Sequence, residues 1–189
     1  IHGNFGIFED SLPDSYGRYL LHKALLREGI NDADLSALDR LSIVGNGGMG
    51  ALTYHPETII VKENNTSNFD LLQEKALEVL KEKQDTDAGL LLYNSGNSGG
   101  ARPKAIFSDS KGHWLIKFRH YYDPVDIGQQ ELHYNEVAKR CGINVPDCML
   151  TNGRYFTTRR FDIAPNGERI HTATAGGLLC LSLTMPYLD

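Results

Sequence analysis

With 189 residues, 41% of them hydrophobic and 23% charged, the chain has an ordinary globular composition and room for one large or two small domains. A net charge of −5 leaves no general nucleic-acid footprint, and no apolar run approaches the roughly 18 residues of a membrane-spanning helix. There is no recognisable signal peptide, and the three cysteines, Cys141, Cys148 and Cys180, lack metal-ligand spacing, so they read as reduced thiols of a cytoplasmic protein.

The charge is unevenly spread. Residues 1–85 carry a net −6 and residues 86–189 a net +1, so the second half suits an anionic ligand better. The chain opens on Ile1 rather than methionine, which reads as a missing upstream segment.

In chain order, Ile1–Phe8 is apolar and punctuated by glycine. SLPDS at 11–15 is a turn and helix start, with Asp14 or Ser15 able to cap. A helix follows through Tyr16, Tyr19, Leu20, Ala24 and Leu26 and ends at Gly29. A second helix starts at Asn31–Asp34 and carries Leu35, Leu38 and Leu41. Ser42–Val44 runs into GNGGMG, Gly45–Gly50. Ala51–Tyr54 and Thr58–Lys62 read as short strands around His55-Pro56. Phe69–Lys83 is a charged amphipathic helix with Leu72, Ala76, Leu77 and Leu80 on one face.

After Asp85 strands take over. Leu90–Tyr93, Pro103–Phe107 and His113–Arg119 have strand length and apolar content. The turn at Ser108–Gly112 joins the last two as a hairpin. Gln129–Cys141 reads as a helix, closed by Gly142. Cys148–Leu150 and Tyr155–Phe161 form another hairpin about Asn152-Gly153. Residues 163–189 read as a loop and the start of a helical region.

Two glycine loops compete for a phosphate. GNGGMG has the spacing of a dinucleotide fingerprint, but that motif needs a helix directly after the glycines. Ala51–Tyr54 is strand-like and Pro56 would break a helix, so a glycine-rich turn is the better reading and a dinucleotide-dependent oxidoreductase a residual one. Ser95–Arg102, SGNSGGAR, lies between two expected strands. Glycines there allow backbone N–H groups to approach phosphate oxygens closely. Downstream, Lys117 sits inside the apolar strand Trp114–Phe118. A lysine there is costly unless paired or at a rim, and a kinase-type site uses such a lysine, fixed by a helix glutamate. Glu131 and Glu136 are both available, but five residues apart they do not share a helix face.

Six segments, in order, resemble a HipA-like serine/threonine kinase, the toxin of a bacterial toxin–antitoxin system. They are FGIFEDSLPDSYGRYLL, LDRLSIVGNGGMGALTYHPE, SGGARPKA, HWLIKF, ELHYNEVAKRCGINVPDCML and YFTTRRFDI. The resemblance implies an α+β fold. Residues 1–85 would be the C-terminal part of an N-terminal subdomain. Residues 86–162 would be a protein-kinase-like N-lobe with a small antiparallel sheet and one packed helix. Residues 163–189 would begin an incomplete C-lobe.

The same resemblance assigns ATP binding to Gly99, Gly100, Ala101, Arg102, Pro103 and Lys104 in the loop, to Lys117, and to the backbone of Arg159, Arg160 and Phe161 beside the adenine. It selects Glu131 as the partner of Lys117, and makes Arg160, Asp162 and His171 structural. The serine that the toxin autophosphorylates aligns with Asn97, which leaves Ser98, beside it, and Ser95 as candidates. The family's catalytic loop and Mg²⁺-binding aspartate have no counterpart between Asp162 and Asp189, so no catalytic residue and no metal ligand is assigned here. ATP and Mg²⁺ belong to the parent protein.

The resemblance further implies a helix-turn-helix antitoxin (HipB-like) as partner, contact with DNA only through that antitoxin, a protein substrate such as an aminoacyl-tRNA synthetase, and no membrane. The competing reading is a non-catalytic truncated homologue that binds an antitoxin or another partner. Because phosphoryl transfer needs a positioned metal and a base, residues 1–189 alone are expected to incorporate no label from γ-labelled ATP; measurable autophosphorylation overturns this.

Overall fold

The computed structural model describes residues 5–82, 87–96 and 99–180. The expected boundary at 85–86, the end of the helix expected through Lys83, and Asn97 and Ser98 lie outside these residues. The fold is α+β: helices dominate the first half, and a four-stranded antiparallel sheet with one long helix forms the second. No helix among the described residues is long and apolar enough to cross a membrane.

The first helix, α1, covers Gly6–Glu9. Helix α2, Ser15–Arg27, buries Tyr16, Leu20, Leu21, Ala24 and Leu25. A single 3₁₀ turn at Asp32–Asp34 replaces the helix start expected there. The helix itself, α3 at Ala37–Val44, begins after Ser36, which forms a reciprocal capping box with Asp39. Helix α4, Phe69–Leu80, is capped by Asn68 and buries Phe69, Leu72, Ala76 and Val79.

Three expected strands are absent. Ala51–Tyr54 and Thr58–Lys62 are irregular. Their backbone finds isolated partners instead of a ladder: Tyr54 N–H donates to Gly45 O and Thr58 N–H to Ser42 O. Leu90–Tyr93 belongs to a helix, α5, Ala88–Ser95. The Asp87 carboxylate accepts from Leu90 N–H at 3.0 Å and starts it. An apolar run this short has no periodicity to separate strand from buried helix. The second glycine loop therefore joins a helix to a strand.

The sheet comprises β1 (Lys104–Asp109), β2 (Gly112–Lys117), β3 (Cys148–Thr151) and β4 (Tyr155–Arg159), in the order β1-β2-β4-β3. Helix α6, Ile127–Arg140, lies between the two hairpins in sequence, and a short α7, Ala175–Leu178, follows the sheet. Strand alternation puts Ala105, Phe107, Ile116, Phe118 and Tyr155 on one face, where they meet Tyr16, Leu20, Leu72, Ala76, Leu90 and Leu91 of the helices. Phe118 meets Tyr155 edge-on, with ring centroids 5.3 Å apart.

A clasp ties the first glycine loop to the chain after β4. Arg169 donates to three carbonyls: Gly50 O at 2.6 Å, Asn46 O at 2.9 Å, and Gly48 O. Asp162, fully buried, accepts from Gly50 N–H at 2.9 Å and pairs with Arg160 at 2.6 Å. Burial alone would raise the Asp162 carboxyl, but the hydrogen bonds from Arg160 and Gly50 outweigh it and hold the group below the ordinary carboxylate range. A group shifted this way stabilises the fold above its unfolded pKa and loses that contribution as pH falls through its folded value. Asp162→Asn leaves the Arg160 guanidinium buried without a counter-charge and is expected to cost about 3 kcal/mol at neutral pH. Urea denaturation measures the loss, and the gap to wild type should shrink in acid.

Candidate functional site

The cross-strand register sets the site. Lys104 of β1 lies directly opposite Lys117 of β2. Both alternate away from the core face, together with Ile106, Leu115 and, through the pairing of β2 with β4, Phe156 and Thr158. Like charges directly opposite on one face destabilise a sheet unless countered.

Each lysine is answered from a different helix. Helix α6 supplies Glu131, whose carboxylate oxygens lie 3.0 and 3.3 Å from Lys117 Nζ. The approach of α6 to the β3–β4 turn depends on Gly128, where a Cβ would collide with the Arg154 carbonyl oxygen. Glu131 follows one turn later and so faces β2. Glu136 points elsewhere and pairs with Arg140 at 3.8 Å on the exposed side of α6. The Lys117 ammonium also lies over the Phe156 ring, 5.3 Å from its centroid.

Lys104 is 6% exposed, and its Nζ donates to Gly99 O. Burial pushes its pKa down to about 8, while Asp14 acts in the opposite direction. Asp14 comes from the start of α2. Its carboxylate accepts from Gly100 N–H at 2.6 Å, across 86 residues of chain. Gly100 has φ +109, a conformation that L side chains rarely adopt, so the turn of the loop requires glycine.

The remaining expected residues are placed as follows. Ala101 is exposed. Arg102 extends to Asp123, at 2.8 Å, whose carboxylate also accepts from His120 N–H. Pro103 is buried and its carbonyl accepts from Phe118 N–H, extending the β1–β2 ladder by one bond. Ser95 is 1% exposed at the end of α5, its hydroxyl bonded to Leu92 O.

Arg159 and Arg160 use their N–H groups within the protein, on Asp147 O and His113 O. The Arg159 guanidinium covers Trp114. Phe161 is 62% exposed, and His171 is exposed. Arg159 is the register partner of Trp114, three residues from Lys117, which separates it from the lysine by roughly 10 Å along the strand.

The site has no roomy cavity. The crevice bounded by Arg102, Lys117, Asp123, Glu131 and Phe156 holds only about 10 Å³. Larger cavities, about 270 and 260 Å³, lie among α2 and α3 and among α3, α5 and residues 57–63, away from both lysines. The chemistry is better located by the paired charges than by volume.

Sequence reasoning missed Asp14, Asp123 and Phe156 as site neighbours. Asp14 carries the signal of a helix cap, and nothing local reveals that its side chain faces a loop 86 residues away. The dinucleotide reading of Gly45–Gly50 finds no support: its carbonyls face Arg169, its Gly50 N–H faces Asp162, and no helix follows it.

The donor set suits an anion. Backbone N–H, Lys104 and Lys117 converge near the second loop, and a carboxylate already sits on Gly100 N–H. Among the described residues, no group of three or more His, Cys, Asp or Glu side chains is arranged to hold a metal ion.

Residues 96–188, slightly less than half of the chain, match the family model of the HipA-like C-terminal domain. The match takes in the second glycine loop from Gly96 onward, the whole sheet and α6, and supports a relationship to the HipA-like family. No curated protein matches the chain.

Because burial sets the state of Lys104, its ammonium is expected to titrate with a midpoint near 8, against about 10.4 for a free lysine. The lysine Cε resonance followed by NMR across pH reads this directly; a midpoint in the ordinary range would show that the lysine is solvated.

Proposed function

We propose that residues 86–162 form the nucleotide-holding lobe of a HipA-like serine/threonine kinase, with residues 1–85 as part of the preceding subdomain. The observation that carries this reading is the Lys117–Glu131 ion pair, on the strand that pairs with the one following the glycine loop. A kinase N-lobe uses a strand lysine fixed by a helix glutamate to hold the α- and β-phosphates. Here β2 supplies the lysine and α6 the glutamate.

In this reading Gly99–Lys104 and Lys117 bind and orient the phosphates of ATP, and Glu131 keeps the Lys117 ammonium aimed at them. The segment Arg159–Phe161 lies about one nucleotide length away, roughly 10 Å, and borders the adenine. ATP supplies the transferable phosphoryl group. Residues outside the loop, the sheet and α6 would hold Mg²⁺ and provide the base that orients the substrate hydroxyl, since the carboxylates of this site are engaged with Gly100, Lys117 and Arg102.

The family relationship supports a wider proposal. The parent protein is a cytoplasmic growth-arrest toxin that phosphorylates a protein, with an aminoacyl-tRNA synthetase as one substrate class. A helix-turn-helix antitoxin restrains it and provides the contact with DNA.

Calorimetric titration with ATP tests the lobe assignment. Lys117→Ala removes a charge-assisted contact to phosphate and is expected to weaken binding about tenfold or more. Glu131→Gln keeps the shape, releases the ammonium, and should weaken it less. Equal affinity in Lys117→Ala and wild type would sink the assignment.

A further inference from the structure

Asp14 occupies the helix-cap position of α2, yet its side chain makes no cap hydrogen bond. Its backbone carbonyl accepts the first intrahelical bond, from Arg18 N–H at 2.8 Å. The carboxylate reaches instead to Gly100 N–H at 2.6 Å, and a Cβ added at Gly99 would lie 3.1 Å from its Oδ2. It therefore lies against two successive glycines of the loop. Gly99 O in turn accepts from the buried Lys104 Nζ. An anion, a backbone N–H and a lysine are thus gathered around one turn. The other cations nearby, Arg102 and Lys117, are paired with Asp123 and Glu131.

A carboxylate and a phosphate oxygen ask for the same partners, an N–H donor and a cation. We propose that Gly100 N–H and Lys104 form a subsite for one phosphate group of the nucleotide, and that Asp14 is its built-in occupant, an intramolecular anion that the phosphate must displace. The inference rests on the nucleotide reading above and adds a residue of the first, acidic half of the chain to the control of that site. The N-terminal helices then set the affinity of the loop. Any partner or rearrangement that draws the start of α2 away from Gly100 frees the subsite, and bound nucleotide frees Asp14 in return.

A resident occupant lowers apparent affinity by the fraction of time that it holds the site. A charge-assisted hydrogen bond of ordinary strength corresponds to about tenfold or more. Asp14→Ala removes the occupant, and because the native side chain makes no cap bond, little helix stability is lost with it. Asp14→Asn keeps the shape and removes the charge, and a thermal melt confirms that each variant is folded.

The experiment measures the Kd for ATP by calorimetry and the hydrogen exchange of the Gly100 amide by NMR, in wild type and both variants. The proposal expects Asp14→Ala to bind about tenfold more tightly, Asp14→Asn to gain less, and Gly100 to exchange faster in both. Faster exchange with unchanged Kd would mean that the contact exists without competing for nucleotide, and would overturn the proposal while leaving the nucleotide reading intact. Unchanged exchange at Gly100 would overturn the contact itself. Absence of ATP binding in all three proteins would overturn the nucleotide reading and the competition together.

Discussion

Two lysines directly opposite one another on a sheet are the constraint around which this molecule is arranged. Lys104 and Lys117 are register partners, and their mutual repulsion in a partly dehydrated setting must be met locally. The fold meets it with one carboxylate from each side. Glu131 arrives on α6, which is brought close by Gly128; Asp14 arrives at the start of α2 and acts on Lys104 through the loop. Moving either helix would leave a cation uncompensated. Helices α2 and α6 thus bring counter-charges to the lysines in addition to their packing contacts.

Much of the second half could be read from residues alone. The β1–β2 and β3–β4 hairpins and α6 carry strong local signals: alternation, turn residues and a closing glycine. Spacing alone leaves Glu131 and Glu136 both open as partners of Lys117, and the resemblance to the HipA-like family selects Glu131; the structure brings Lys117 to Glu131 while Glu136 pairs along its own helix. Elsewhere local signals were silent or ambiguous. Leu90–Tyr93 is equally apolar as strand or helix, and Asp87 decides for the helix. Ala51–Tyr54 and Thr58–Lys62 have strand composition without a strand to pair with. Asp14 and Arg169 act across 86 and 119 residues, a range that no window of sequence covers.

The two glycine loops show why composition alone does not define an anion site. Both are rich in glycine and both contain a charged contact. In the second loop Gly100 presents an N–H to a carboxylate. The first loop turns the carbonyls of Asn46, Gly48 and Gly50 toward a guanidinium. Each loop also does the reverse at one point, Gly50 N–H donating to Asp162 and Gly99 O accepting from Lys104, so what differs is the balance of donors and acceptors. The direction of the backbone, which the flanking elements impose, decides which charge each can hold.

The clasp between the first loop and the segment after β4 also bears on the order of assembly. Gly50 and Asp162 are 112 residues apart, whereas the β1–β2 hairpin closes over a handful. Loop-closure entropy makes the near contacts the early ones and the clasp a late one. An interaction that forms late is largely missing from the folding transition state, so it acts on the unfolding rate more than on the folding rate. The contacts of Asp162 and Arg169 with the first loop thereby act as a kinetic lock: they lengthen the lifetime of a structure whose sheet is already built when the lock closes.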